Sequence, residues 1–298
     1  VNADTNGTQI AYMAQFQTTN TQASNHWPNS ITLTSPALAS NFWVNSWVCL
    51  MCNELQSSGQ GNWNEHTFEF CKVNSVDAGT GIITFYDPIQ YNYRSTFPTF
   101  ASTNGSFDAR VGPATIVQMN DTFDQEIEIH GLNIYGVTEQ QFLGVRSLRL
   151  VDCEVFGWGF KSGPDPAFMG DYIFERCRFH SLTPEIDKMI DTIKFIDCTW
   201  EQGIGIAGPW NSNTPFSIPS LNIQSSSINK FIIERCRMTN GIDGTAKDMT
   251  IRDSFIAGQF RLGPVYGVTE RILLENSTIQ QINNSFQEGE TLGTTQVT

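Results

Sequence analysis

The chain has 298 residues, and 17 Lys and Arg stand against 30 Asp and Glu for a formal net charge of −13. That balance disfavours nucleic acid and anionic membrane as partners, because both select a cationic face, and no apolar run is long enough to span a bilayer. Charged residues make up only 16% of the chain, and Asn, Thr, Ser and Gln take their place, as in β-rich proteins with many turns. The chain opens on Val1, which we read as a processed product or a piece of a longer protein, and no signal peptide is evident.

In chain order, residues 1–30 are polar except for an apolar patch at Ile10–Phe16. Alternating segments then predict strands at Ile31–Pro36, Phe42–Met51, His66–Val76 and Ile82–Tyr86, with a turn at Asp77–Gly81 and a break at Asp87-Pro88. These make a small β-domain with hairpins. Residues 87–112 read as a long loop. Ala114–Met119 reads as strand again and as the first rung of a strand stack. Cys49, Cys52, His66 and Cys71 could in principle hold zinc. Residues three apart on a strand point to opposite faces, however, and we read a packed hairpin and no metal site.

From Ile127 one short phrase recurs: Ile127–Ile134, Leu148–Val155, Tyr172–Phe179, Ile193–Trp200, Phe231–Met238, Met249–Ile256 and Ile272–Ile279. Its template is apolar, any, apolar, any, polar, Cys or Ser, any, apolar. Aligned on Leu132, Cys153, Cys177, Cys198, Cys236, Ser254 and Ser277, the steps are 21, 24, 21, 38, 18 and 23 residues. A period in the low twenties with two-residue alternation inside each copy means stacked strands. The leucine–asparagine consensus of leucine-rich repeats is missing. The expected fold is all-β: a right-handed parallel β-helix, one rung per copy, preceded by a small N-terminal β-domain. Residues 1–112 form the lead-in and that domain, 113–282 the β-helix, and 283–298 a cap or linker.

The residue before the Cys reads Asp152, Arg176, Asp197, Arg235, Asp253, Asn276. Equivalent side chains on adjacent parallel strands lie roughly 4.8 Å apart, so alternating sign is what a rung stack selects. Glu154 over Arg178 begins a similar pattern one residue after the Cys. Cys153, Cys177, Cys198 and Cys236 share one position and are expected as an interior column of small side chains. Free thiols there point to folding in a reducing cytosol. Trp200 aligns with Val155, Phe179 and Met238 and is expected in the core.

The strand set Phe42–Leu50, Phe70–Asp77 and Thr80–Ile89, then Gly112-Pro113 and the coils, resembles the pectate-lyase-like β-helix proteins of bacteriophages, the tailspikes and tail-associated depolymerases. The resemblance spans roughly residues 31–281. It implies a homotrimer in the virion tail, made in the host cytoplasm, beside other tail proteins. It also implies recognition, and often cleavage, of a host cell-surface polysaccharide. A secreted protein is the alternative location. The acid/base motifs of pectate lyases, polygalacturonases and alginate epimerases are all absent, so no catalytic set carries over from them.

Turns carry variable function on such a scaffold. The 38-residue step contains an insert, Gly203–Lys230, with Trp210 next to Pro209. Trp210 and Trp158 are candidate platforms for a sugar ring, whose CH face stacks on indole, and Lys161 lies close to Trp158 in the sequence. Glycoside hydrolysis needs two carboxylates, and a lyase needs a base beside a charge-stabilising group. Asp165, Glu185 and Asp187 are the candidate catalytic carboxylates, with Asp171, Asp191 and Glu201 as further ones. No cofactor is called for. Three functions remain open: polysaccharide recognition by a tailspike-like protein, cleavage by a lyase or glycoside hydrolase on the same fold, and a structural spacer without a glycan site.

Overall fold

The computed structural model describes residues 10–17, 28–55, 64–91, 93, 114–135, 145–156, 168–180, 185–186, 189–202, 221–223, 228–239, 242–244, 246–262, 271–284 and 296–297. Contacts divide the chain into two units, one of residues 1–57 and 64–125, the other of residues 58–63 and 126–298.

The first unit is an antiparallel sheet of β1 (Ile10–Gln15), β2 (Ser30–Thr32), β3 (Trp47–Leu55), β4 (Asn64–Asp77), β5 (Ile82–Phe85) and β6 (Thr115–Met119). Its order is β1-β6-β3-β4-β5-β2. A bridge from Phe16 to Leu33 joins the ends of the outermost strands. Alternation sends Val48, Leu50, Cys71, Val73, Ile83 and Phe85 into one buried cluster. Glu69 is buried too. Its carboxylate accepts the N–H groups of Gln90 and Tyr91 and the hydroxyl of Tyr93, so a buried charge is balanced by three donors. Cys49 and Cys71 are buried free thiols. The side chains of Cys52 and His66 lie outside the described residues.

The expectation for Ala114–Met119 is corrected here. β6 pairs antiparallel with β1 and β3 and belongs to this sheet. A five-residue apolar strand carries no mark of its partners, and only the repeat template could have excluded it. The first coil of the second unit begins at Glu126.

The coils of the second unit run β7 (Glu126–His130) and β8 (Asn133–Tyr135), then β9 (Ser147–Val151) and β10 (Glu154–Phe156), then β11 (Phe168–Glu175) and β12 (Arg178–His180). Next come β13 (Glu185–Ile186), β14 (Met189–Ile196) and β15 (Thr199–Gln202), followed by β16 (Leu221–Ile223), β17 (Ile228–Glu234) and β18 (Arg237–Met238). The last are β19 (Ile242–Gly244), β20 (Asp248–Arg252) and β21 (Phe255–Leu262), then β22 (Arg271–Glu275), β23 (Thr278–Asn284) and β24 (Gln296–Val297). Sheet A has the order β24-β22-β20-β17-β14-β11-β9-β7. Sheet B contains β8-β10-β12-β15-β18-β21, with β23 on β21, and β13-β16-β19 joins it through the bent strand β21. Every pair among the described strands of both sheets is parallel, and the pairs follow the repeat apart from register shifts in β12–β15 and β21–β23. Parallel strands joined by crossovers are right-handed, so the unit is the right-handed parallel β-helix that the repeat demanded.

The corner between the two sheets explains the template. Asp152, Arg176, Asp197, Arg235, Asp253 and Asn276 all have φ between 47° and 55°, and Gly131 in the first copy has φ 62°. This left-handed conformation bends the chain between the two strands of a coil but costs a residue with a Cβ roughly 1–2 kcal/mol. Asp, Asn and Gly tolerate it best. The two arginines stand over aspartates: Arg176 Nε and Nη2 donate to Asp152 at 2.6 and 2.9 Å, and Arg235 does the same to Asp197 at 2.8 and 3.0 Å. These guanidinium groups hold the carboxyls of Asp152 and Asp197 below the usual carboxylate range.

The Cys or Ser follows for a second reason. The corner residues' own N–H groups bond to the next coil, as Asp197 N–H does to Glu234 O. The N–H one residue later faces the interior and meets a side chain. Cys198 N–H donates to Cys236 Sγ at 3.4 Å, Cys236 N–H to Ser254 Oγ at 3.0 Å, and Ser254 N–H to Ser277 Oγ at 3.1 Å. The Leu132, Cys153 and Cys177 N–H groups reach the sulfurs of Cys153, Cys177 and Cys198 in the same way. Each acceptor therefore serves the coil before it. β7 and β8 are the end strands of their sheets, with no earlier coil to serve, and there the position is Leu132. Burial pushes the Cys153 and Cys198 thiols up.

Inside the stack, rings form two columns. Phe174 stacks on Phe195 at 4.8 Å and Phe179 on Trp200 at 4.9 Å, and Phe195 meets Trp200 edge-on at 4.9 Å. Trp200 is buried, as its place in the repeat requires.

Candidate functional site

On a short strand of sheet B the residue two after the Cys points inward, so those one and three after it point out. The positions three after it read Tyr135, Phe156 and His180, and the pairing puts them side by side. Their rings form an outward column. Tyr135 lies on Phe156 at 4.7 Å and 8°, and Phe156 on His180 at 4.3 Å and 4°. Tyr135 ends the column on the end strand β8, and 70% of it is exposed. Parallel register of ring-bearing residues about 4.8 Å apart is enough to produce this stacking.

The positions one after the Cys run beside the column: Asn133, Glu154, Arg178, Thr199, Arg237 and Phe255, each in register with the next. Glu154 lies 3.3 Å from His180 Nε2. The Arg237 guanidinium sits 4.8 Å above the ring of Phe255, which is 38% exposed. Flat rings, an amide, a carboxylate and guanidinium groups on one rigid sheet suit a ligand with both apolar faces and many hydroxyls.

A second group sits where the strands of sheet A begin. Asp171 is in register with Ser147 and Thr192, and Thr192 with Lys230. Burial first, then the charge of Asp191, raises the Asp171 carboxyl above its ordinary value, while Thr192, Lys230 and Arg146 oppose the rise. Asn229 Nδ2 donates to Asp191 Oδ1 at 2.8 Å. Gly170 is obligatory beside it: a Cβ there would stand 2.0 Å from Arg146 O. A carboxyl shifted upward by burial and a neighbouring acid meets one requirement of a proton donor.

Of the residues singled out in the sequence, Trp158, Lys161, Asp165, Asp187 and Trp210 lie outside the described residues. Of Glu185 only the backbone is described, in β13 and in register with Asn222. Asp171 and Asp191 are brought together. Tyr135, Phe156 and His180 were missed, although the repeat alignment carries them in one column. Among the described residues no group of three or more His, Cys, Asp or Glu could hold a metal ion, and no helix is long and apolar enough to cross a membrane.

No protein-family model and no curated protein matches the chain. Two solved structures resemble it. One is the tailspike protein gp49 from Pseudomonas phage LKA1, 11% identical, with 90% of this chain and 63% of that one covered and a TM-score of 0.31. The other is the Gp54 tailspike of Acinetobacter baumannii bacteriophage AP22 in complex with A. baumannii capsular saccharide, 10% identical, with 93% and 56% covered and a TM-score of 0.33. The chain spans less than two thirds of the length of either protein. At these TM-scores the fold assignment stands on the parallel sheets themselves.

Proposed function

We propose that this chain is a tailspike-like virion protein that binds a polysaccharide of the host cell surface along the outer face of sheet B. The observation that carries the reading is the aromatic column Tyr135–Phe156–His180, with its end ring bare and polar groups alongside. Sugars present CH faces to such rings and hydroxyls to the neighbouring amide, carboxylate and guanidinium groups. In this reading the chain works as a homotrimer in the virion tail, next to other tail proteins. The test is affinity electrophoresis through gels containing capsular polysaccharides from a panel of bacteria. Retardation by at least one polymer is expected, and Tyr135→Ala and Phe156→Ala should each weaken it about tenfold. Unretarded migration in every gel would leave the stack as a spacer.

The pair of Asp171 and Asp191 supports a second reading, cleavage of the same polymer. Asp171 in its neutral form would give a proton to the leaving oxygen, and Asp191 would serve as the second carboxylate. Gel filtration of the polymer after incubation tests this. Shortened chains lost in Asp171→Asn support a hydrolase, shortened chains with new ultraviolet absorbance of unsaturated ends a lyase, and unchanged length refutes cleavage.

A further inference from the structure

The interior thiol column holds chemistry that its hydrogen-bonding role does not use. Cys177 and Cys198 stand on adjacent coils: β12 and β15 pair with Arg178 opposite Thr199, and the Thr199 N–H donates to the Cys177 carbonyl at 3.0 Å. Equivalent Cα atoms on such strands are roughly 4.8 Å apart, inside the span of about 4.4–6.8 Å that a disulfide bridges. The two sulfurs share a hydrogen bond, and both residues are buried free thiols. The flanking Cys153 sulfur is bonded instead to the carbonyls of Ile129 and Val151.

The two thiols differ. The hydrogen bond from Cys198, aided by the Cys153 N–H, lowers the Cys177 thiol against the effect of burial. Burial first, and then the bond given to Cys177, raises the Cys198 thiol. One sulfur is thereby readied as a nucleophile, with a second thiol beside it to resolve the product. The core is close-packed, so the oxidant that reaches this pair is one about the size of water.

We propose that Cys177 and Cys198 are a peroxide-oxidisable pair whose disulfide staples one coil to the next. The Cys177 thiolate attacks an oxygen of hydrogen peroxide; the O–O bond breaks, hydroxide leaves with the Cys177 proton as water, and a sulfenic acid remains. The Cys198 sulfur then attacks the Cys177 sulfur; the S–S bond forms, the S–O bond breaks, and the oxygen leaves as water with the Cys198 proton. Two thiols are oxidised to one disulfide, and one peroxide is reduced to two waters. The new bond closes a 21-residue step of the repeat and ties β12 to β15.

The experiment treats the folded, reduced chain with hydrogen peroxide, removes the oxidant with catalase, alkylates the remaining thiols in denaturant and maps the disulfides by mass spectrometry. A Cys177–Cys198 cross-link that dithiothreitol reverses is expected. The oxidised chain should melt about 5 °C higher, as the length of the closed loop implies. Cys198→Ser should stop with oxygen added to Cys177, and Cys177→Ser should leave Cys198 a free thiol. Serine already fills this column at Ser254 and Ser277, so both variants should keep the fold, which their melting curves check. tert-Butyl hydroperoxide, too bulky for the packed core, should act about tenfold more slowly. A Cys153–Cys177 or Cys198–Cys236 link in its place, or four free thiols in the column after treatment, would overturn the proposal. Equal rates with the two peroxides would overturn reaction within the folded stack.

Discussion

The interior column of Cys and Ser can be tested as a set of hydrogen-bond acceptors by replacing Cys236. Its Sγ lies 3.4 Å from the Cys198 amide in a buried setting. Cys236→Ala removes that acceptor and leaves a buried N–H unmatched, which costs about 1–3 kcal/mol. The lost sulfur contacts add roughly another 0.8 kcal/mol, for a total of about 2–4 kcal/mol. Cys236→Ser keeps an acceptor. Its hydroxyl can also donate to Glu234 O, as Ser254 Oγ does to Arg252 O at 2.7 Å, so its cost should stay at or below about 1.5 kcal/mol. Guanidinium unfolding gives the midpoints, and amide hydrogen exchange follows the Cys198 N–H directly. Equal destabilisation by Ala and Ser would refute the reasoning, because the sulfur would then only fill space. Unchanged protection of the Cys198 amide in Cys236→Ala would refute it as well.

Phe195→Ala should cost about 3–5 kcal/mol, since rings of Phe174, Trp200 and Phe231 surround it and cannot collapse into the void; Phe195→Leu should recover most of this in the same unfolding assay. Asp171→Asn should raise the melting temperature at neutral pH. The folded carboxyl is shifted upward, so its contribution is most favourable below the unfolded carboxylate range and is lost as pH rises through the folded value; the difference from wild type should close below about pH 4. Asp152→Asn should behave in the opposite sense. Its carboxyl is shifted downward by Arg176, so the variant should melt lower at neutral pH, with the gap closing as acid protonates the wild-type carboxylate; a gap unchanged between pH 7 and pH 2 would refute the pairing.

The coils were legible because a stack imposes the same requirement on every copy. Seven phrases, six of them with Cys or Ser two residues before the closing apolar residue, marked both the inward strands and the corner. The alternation of Asp and Arg before the Cys predicted the stacked charges, but not that these residues also carry the left-handed turn; Arg at such a position has no propensity to announce it. The aromatic column could have been read too. Extending the template one residue beyond Val155, Phe179 and their equivalents brings Tyr135, Phe156 and His180 into a single outward position. What the sequence could not supply was the role of Thr115–Met119, whose partners β1 and β3 are remote in the chain. Nor could it single out Asp171 and Asp191 from the other turn carboxylates, because their coupling depends on burial at the start of sheet A.

The charged corner also constrains how such a protein can change length. Excising the one coil that carries Arg176 would set Asp152 directly against Asp197, two like charges roughly 4.8 Å apart on a turn that already resists its conformation. Excising that coil together with the next would set Asp152 against Arg235 and restore the match. Growth and shrinkage of the stack in this region therefore obey a parity rule, in which coils are gained or lost in twos, and the alternating charge records whether an odd or an even number of coils stands between any two.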